Sequence, residues 1–472
     1  MSNKLFFISI PILLLSGCVV PPDLGPESKP REDLIAYKNG KNEFLYPKQD
    51  WWKLYNDSQL NKLIEEGLSQ SPTIVQAVAR VEKANAQALI VGAPVFPKVT
   101  ADGNISRYKQ SYNMGVPSAF VPEGFRRYAN ATFNFNYELD FWGKNSDTLS
   151  AAISDTKSAA LMLDQAKIIL STSIAAAYAN LAQYSAELEV LQETVDVRAK
   201  TLELFEKRFK NGLENENSIE QAKSNHATAE ADLAAMEETI DLTRNSLAAL
   251  VGASPERALK IERPKLEKMT PIGIPQVIPA DLISRRPDVI AAQLALEATA
   301  SRINVAKAGY YPNINLTAYV GRQSLSWDYF SKSGSLIGSY GPAIHLPIFM
   351  GGLLEGQYRW ARADYETSLA SYESSIIQAL KEVADAITSH NALDIRVRKT
   401  TKALRAAERA YAVSKKRYSG GLSTYLEVLK AEDSLITCRR AMAQIQARAF
   451  TLDVALAKAL GGGFKLNLKP KE

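Results

Sequence analysis

The sequence predicts a mainly α-helical chain with a small membrane β-barrel, built from one strand–helical-hairpin unit used twice. Three observations predict it. The first is an internal repeat: residues 69–105 moved forward by 215 positions fall on 284–320 without a gap, matching Pro72 to Pro287, Phe96-Pro97 to Tyr311-Pro312 and Val99 to Ile314. Further along the shift becomes 209, which brings Gly143 onto Gly352, Lys207-Arg208-Phe209 onto Lys416-Arg417-Tyr418, and Gly212-Leu213 onto Gly421-Leu422. A period of half the chain marks a duplicated unit, since solenoid repeats run about 20–50 residues. The second observation is a pair of long segments, 144–211 and 357–419, that contain neither Gly nor Pro. The third is a set of short runs in which apolar and polar residues alternate.

Taken in chain order, residues 1–17 read as a signal peptide: Lys4, a largely apolar run from Leu5 to Leu15, then small residues. Leu15-Ser16-Gly17-Cys18 resembles a bacterial lipoprotein box, which makes Cys18 the expected lipidation site and first mature residue. Val19 and Val20 follow, without the Asp that commonly retains lipoproteins at the inner membrane, and this favours the outer membrane. Residues 18–56 are expected to form an extended N-terminal segment. Repeat one takes 57–254, a Pro-rich linker 255–284, repeat two 285–460 and a tail 461–472. Pro255, Pro264, Pro271, Pro275 and Pro279 keep the linker extended, which suits a structural belt around the middle of the helices.

The breaker-free segments exceed ordinary globular helices and carry a heptad pattern. Leu170, Ile174, Ala177, Leu181, Tyr184, Leu188, Leu191 and Val195 step by four and three, and Leu202, Phe205 and Phe209 continue the register past one exception, Arg198. Tyr372, Ile376, Ala379, Val383, Ala386, Leu393, Val397, Leu404, Ala407, Tyr411 and Tyr418 keep the same register in repeat two, with His390, Thr400 and Ser414 as polar interruptions. Each segment stops at a turn (Asn211-Gly212 and Gly420-Gly421), and a second breaker-free segment returns, so each half holds a hairpin of helices. Shorter helices are expected over about 73–92 and 288–308, with Ser71 as an N-cap.

Strands are expected at about 99–109, 129–141, 313–322 and 336–348. The cleanest alternates Phe133, Phe135, Tyr137 and Leu139 with Asn134, Asn136 and Glu138. After residue 15 nothing approaches the roughly 18 continuous apolar residues of a membrane-crossing helix, which leaves a closed barrel as the route across a bilayer. Strands of about 9–11 residues with an aromatic-rich face fit that reading. Four strands cannot close around water, since about eight already leave an interior filled by side chains, so several copies must contribute.

Other classes are disfavoured. A net charge of +5, from 56 basic and 51 acidic residues, does not suggest nucleic acid. His226, His345 and His390 are isolated, no phosphate-binding Gly-rich loop occurs, and no catalytic set can be assembled, so no enzyme activity, cofactor or metal is expected. With Cys18 lipidated, Cys438 has no partner for a disulfide.

Trp51-Trp52 with Asp57 and Leu60, Ser71-Pro72, Pro97, Glu138-Leu139-Asp140-Phe141-Trp142-Gly143, Arg286-Pro287-Asp288, Pro347-Ile348-Phe349 with Gly351-Gly352, and Arg417-Tyr418 with Gly421 occur in this order. In that order the chain resembles the outer membrane factor family, the TolC-like and NodT-like efflux channels, over nearly its whole mature length. The resemblance implies a homotrimeric 12-stranded β-barrel continuous with an α-helical periplasmic barrel, lipid-anchored in the outer membrane. It implies a passive exit duct for drugs or other small molecules, loaded by a periplasmic adaptor protein and an inner-membrane pump of RND type. A type I protein-secretion exit channel shares the fold, and a non-conducting periplasmic structural lipoprotein is the alternative from another class. The resemblance also places the tunnel's periplasmic mouth at the hairpin ends: Arg208, Gly212 and Leu213 in one repeat, Arg417, Gly421 and Leu422 in the other. Gating or adaptor docking is expected there, although C-capping accounts for the glycines. Family members often carry Asp after the second Gly-Leu; here Ser423 stands there, and its repeat-one counterpart Glu214, with Glu216 nearby, is the candidate acidic constriction.

Overall fold

A computed structural model describes residues 20–32, 47–264 and 285–465; Cys18, most of the Pro-rich linker and the end of the tail lie outside the described residues. Helices α1 (Ser58–Gln70) and α2 (Pro72–Gly92) precede strands β1 (Lys98–Tyr108) and β2 (Arg126–Leu139), and a helical hairpin follows, α3 (Lys144–Lys210) and α4 (Glu216–Leu250). The second half repeats the plan with α5 (Pro287–Ala308), β3 (Asn313–Ser324), β4 (Leu336–His345), α6 (Leu353–Ser419) and α7 (Tyr425–Ala459). A shift of 209 carries α3 onto α6 and α4 onto α7 end to end: both long helices have 67 residues and both returning ones 35. The duplication thus governs element length as well as motif order.

The chain divides into two compact units. One takes the residues up to Pro30, Glu82–Ser158 and Ala292–Tyr372; the other takes Arg31–Val81, Ala159–Ala291 and Glu373 onward. The first unit holds a four-stranded antiparallel sheet in the order β1-β2-β3-β4, so the second strand of repeat one pairs with the first strand of repeat two. β4 stops at His345, short of the expected 348, because Pro347 has no N–H to give a ladder.

The second unit is a helical bundle whose core follows the heptads. Leu170, Ile174, Leu181, Leu188, Leu191 and Phe205 from α3, and Ile376, Ala379, Val383 and Leu393 from α6, are buried. Phe209 departs from the expected register and is 44% exposed, because it lies in the last turn of α3, one residue before the chain reverses. By length and composition α3 also reaches the level of a membrane-crossing helix, although no continuous apolar run of that length occurs in it. Part of that apolar content is core material: Ile174, Ala175, Ala179 and Leu181 are fully buried within this unit.

The end of the expected extended N-terminal segment instead forms a 3-10 turn, Trp51–Tyr55, because Trp51, Trp52 and Tyr55 are the apolar cover of this core, packed with Leu60, Ile64 and Phe450. Asp57 caps α1 by accepting from the Gln59 and Leu60 N–H groups, and its other oxygen accepts from the Tyr178 hydroxyl at 2.8 Å. Ser71, expected as an N-cap, is the joint between α1 and α2: its carbonyl accepts from the Ile74 and Val75 N–H groups.

Candidate functional site: a two-faced sheet and two hairpin tips

Register gives the sheet two chemically different faces. Val99 stands opposite Phe135 and Ala101 opposite Phe133; these two phenylalanines stand opposite Ala318 and Val320, and Ala318 opposite Tyr340. That face is apolar and bare: Val99, Ile105, Phe133, Val320, Leu336, Tyr340 and Ile344 are all exposed. The other face carries Thr100, Asp102 and Asn104 against Asn134, Thr132 and Asn130, then Asn315, Thr317 and Tyr319 on β3. Strand period places Phe133, Phe135, Tyr137 and Leu139 together, away from Asn134, Asn136 and Glu138. β1 and β4 are both edges within the chain.

The two long helices end in the same turn. The Leu213 N–H donates to the Arg208 carbonyl at 2.9 Å and the Gly212 N–H to that of Phe209 at 2.9 Å; the counterparts are Leu422 to Arg417 at 2.8 Å and Gly421 to Tyr418 at 3.0 Å. This Schellman pairing needs a left-handed residue, and Gly212 (φ 69°) and Gly421 (φ 73°) supply it without a Cβ clash. Backbone capping therefore accounts for both glycines.

The side chains break the symmetry. The Arg208 guanidinium has its Nε 3.6 Å from the Glu214 carboxylate and lies 5.2 Å from the centroid of the Tyr418 ring on the other hairpin. Arg417 reaches the Leu422 carbonyl at 3.5 Å and forms no ion pair among the described residues. Glu216 is exposed in the first turn of α4, where a carboxylate suits the helix N-terminus. Ser423, at the position equivalent to Glu214, has a buried hydroxyl without a hydrogen-bond partner among the described residues. Leu213 and Leu422 remain in solvent, 65% and 73% exposed. Just behind, Phe205 and Tyr425 meet edge to face at 4.4 Å, so aromatic packing joins the two hairpins.

One cluster was missed by motif reading, although the heptad break at Arg198 was its signal. Arg198 donates to the Asp433 carboxylate at 2.7 Å and the Asn225 carbonyl at 3.1 Å, and its Nε lies 3.7 Å from the Glu432 carboxylate. Glu432 is buried; burial raises its pKa, Arg198 pulls it back, and Asp433 raises it further. A carboxyl whose folded pKa is raised destabilises the fold at neutral pH, and the deficit vanishes as pH falls through the raised value toward the ordinary glutamate range. Glu432→Gln is therefore expected to melt above the wild type at neutral pH, with the two melting temperatures converging on acidification; a gap that is constant with pH would refute the assignment.

Cys18 lies outside the described residues. The family model described as "Outer membrane efflux protein" matches residues 63–253 and 278–462. The fusaric acid resistance protein FusA of Burkholderia cepacia is 32% identical over 360 residues, covering 74% of this chain and 68% of FusA. The multidrug resistance outer membrane protein MdtP of Escherichia coli strain K12 is 27% identical over 469 residues, covering 96% of this chain and 94% of MdtP. The crystal structure of the outer membrane protein VceC from Vibrio cholerae superposes with a TM-score of 0.84 at 42% identity, covering 89% of this chain and all of VceC. A match that takes in both repeats, joined to the same strand–hairpin plan, places the chain in the outer membrane efflux protein family.

Proposed function

We propose that three copies of this chain close their sheets into one 12-stranded barrel that spans the outer membrane and passively discharges drugs or other small molecules. The observation that carries this reading is the sheet: one bare apolar face, one polar face and two open edges. An exposed edge of ten or more residues invites pairing with another chain, and an exposed apolar face of this extent needs lipid or protein cover. Joining β4 of one copy to β1 of the next meets both needs and leaves the polar face lining a water-filled lumen. Energy for transport then comes from partners, an inner-membrane pump and a periplasmic adaptor. Single-channel recording of the purified trimer in planar bilayers is expected to show ion conductance; a well-folded trimer without conductance overturns the duct.

The hairpin tips form the periplasmic mouth in this reading. Arg208 is engaged within its own chain, whereas Arg417 has only a carbonyl partner among the described residues, which leaves its charge available to a neighbouring copy or an adaptor. A single exposed pair is worth only about 0–1 kcal/mol, but threefold repetition multiplies its effect on an opening iris. Arg417→Ala is expected to raise open probability or weaken adaptor binding with the trimer yield unchanged. Unaltered conductance together with unaltered drug resistance in cells would reduce Arg417 to a helix cap.

The anchor is assigned to Cys18. Cys18→Ser is expected to abolish labelling by a fatty-acid probe while the chain still trimerises through its sheet. Persistent labelling of the variant would remove the lipoprotein assignment.

A further inference from the structure

The described chain begins at Val20, and Val20 and Pro22 line a cavity of about 240 Å³ within the sheet-bearing unit. Its walls are apolar, from Pro22, Ile348, Phe349, Met350 and Leu354, and Tyr310 and Glu355 supply the polar groups. Tyr310 is 98% buried (2% exposed), yet its hydroxyl has no hydrogen-bond partner among the described residues. Burial, then the nearby Glu355 carboxylate, raises the Tyr310 pKa, so the phenol stays protonated and remains an O–H donor. A buried donor without an acceptor is costly, and a carbonyl or ether oxygen entering the cavity would satisfy it.

The approach to this cavity is held in place. Arg362 donates to the Gly25 and Pro26 carbonyls at 3.1 and 2.8 Å, the Tyr365 hydroxyl donates to the Ser28 carbonyl at 2.8 Å, and Lys307 pairs with Glu27 at 3.3 Å. These contacts strap residues 25–28 down, so the strand of chain that reaches Val20 arrives at the cavity by built contacts. Cys18 is two residues before Val20 in the sequence, and two residues of extended chain reach at most about 7 Å.

We propose that this cavity seats the lipid of the chain's own Cys18: its glyceryl-ester end and first methylenes, with the Tyr310 hydroxyl donating to an ester carbonyl. The proposal rests on Cys18 being lipidated. The volume falls below the roughly 300–1,000 Å³ of a site for a whole small molecule, which suits the root of an acyl chain whose remainder continues into the bilayer. No Lys or Arg is among the lining residues, so nothing there is placed to meet a phospholipid phosphate; Glu355 is itself paired with Arg359 at 2.8 Å. The exposed Ile348 and Phe349 at the rim, 68% and 87% exposed, offer an apolar exit for the chains.

The test uses the full-length chain in cells fed a palmitate analogue that carries a diazirine and an alkyne. After irradiation, mass spectrometry is expected to find the label both on Cys18 and crosslinked to residues 347–355 of the same chain. Tyr310→Phe is expected to keep full acylation and lower the crosslink roughly fivefold, the weight of one ordinary hydrogen bond. Label on Cys18 without that crosslink overturns the cavity assignment alone. Absence of label on wild-type Cys18 overturns both the anchor and the cavity. Crosslinks at 347–355 that persist in Cys18→Ser identify a free membrane lipid as the occupant, and crosslinks on a Cys18→Ser copy only when it is co-assembled with wild type identify a neighbour's anchor; either result overturns the proposal.

Discussion

Phe133→Arg is expected to lower the stability of the assembled barrel by roughly 2–4 kcal/mol, the cost of a guanidinium on the lipid face near the bilayer midplane. Phe133 is the suitable position because it sits midway along β2, 64% exposed, between Ala101 of β1 and Val320 of β3 on the apolar face. One residue on, Asn134→Arg places the same charge on the polar face, beside Asp102, to which the Asn134 amide already donates. That variant is expected to assemble normally and to shift conductance and ion selectivity instead. Urea midpoints of the reconstituted trimer, read together with single-channel recordings, compare the two. Equal loss of assembly from both would mean that the two faces are not lipid and lumen.

Arg286→Met is expected to destabilise the helical unit by about 3 kcal/mol, the lower end of the cost of removing one partner from a buried ion pair. The Arg286 side chain is 97% buried (3% exposed); its guanidinium donates to both oxygens of Asp288 at 3.1 and 2.7 Å, to Glu382 at 2.7 Å and to the Ala459 carbonyl at 3.2 Å. It thereby joins the start of α5, the middle of α6 and the last residue of α7. The estimate sits at the low end because Asp288 and Glu382 keep about a quarter of their side chains in water and can rehydrate. Burial raises the Glu382 pKa, but hydrogen bonds from Gln378 and Arg286, with the Arg286 charge, outweigh it and leave a net lowering. The stability it contributes is thus present at neutral pH and lost only as pH falls through that lowered value. Adding Glu382→Gln to Arg286→Met is expected to recover part of the loss in denaturant melts, because one uncompensated carboxylate is gone. Strict additivity of the two substitutions would show that the pair is not coupled.

The Arg286-Pro287-Asp288 motif was visible in the sequence as one carrier of the family resemblance; Glu382, 96 residues away, was not. The same holds at the tips. Lys207-Arg208-Phe209 and Lys416-Arg417-Tyr418 look equivalent, yet among the described residues only Arg208 finds an acid and an aromatic ring. The reason is that the equivalent of Glu214 is Ser423, and Tyr418 packs against the Phe205–Ile219 cluster of the first hairpin. Arg198 shows the limit from the other side. Its place in the heptad announced a fault in an apolar seam, but Asp433, 235 residues distant, was beyond any local pattern.

What the sequence determined by itself is whatever repeats within one stretch of chain. Breaker-free length and heptad spacing set two 67-residue helices and their buried stripes, glycines set their ends, and alternation set which strand residues share a face. Those features follow from 3.6- and 2-residue geometry, which needs no partner. Only the tertiary structure decided that β2 of one repeat pairs with β3 of the other, which arginine is satisfied at the tips, and that Tyr310, sharing a cavity with Val20, has a hydroxyl without a partner among the described residues. These depend on groups brought together across long loops and two repeats, where burial and the need to satisfy each polar atom select among partners that spacing alone leaves equal.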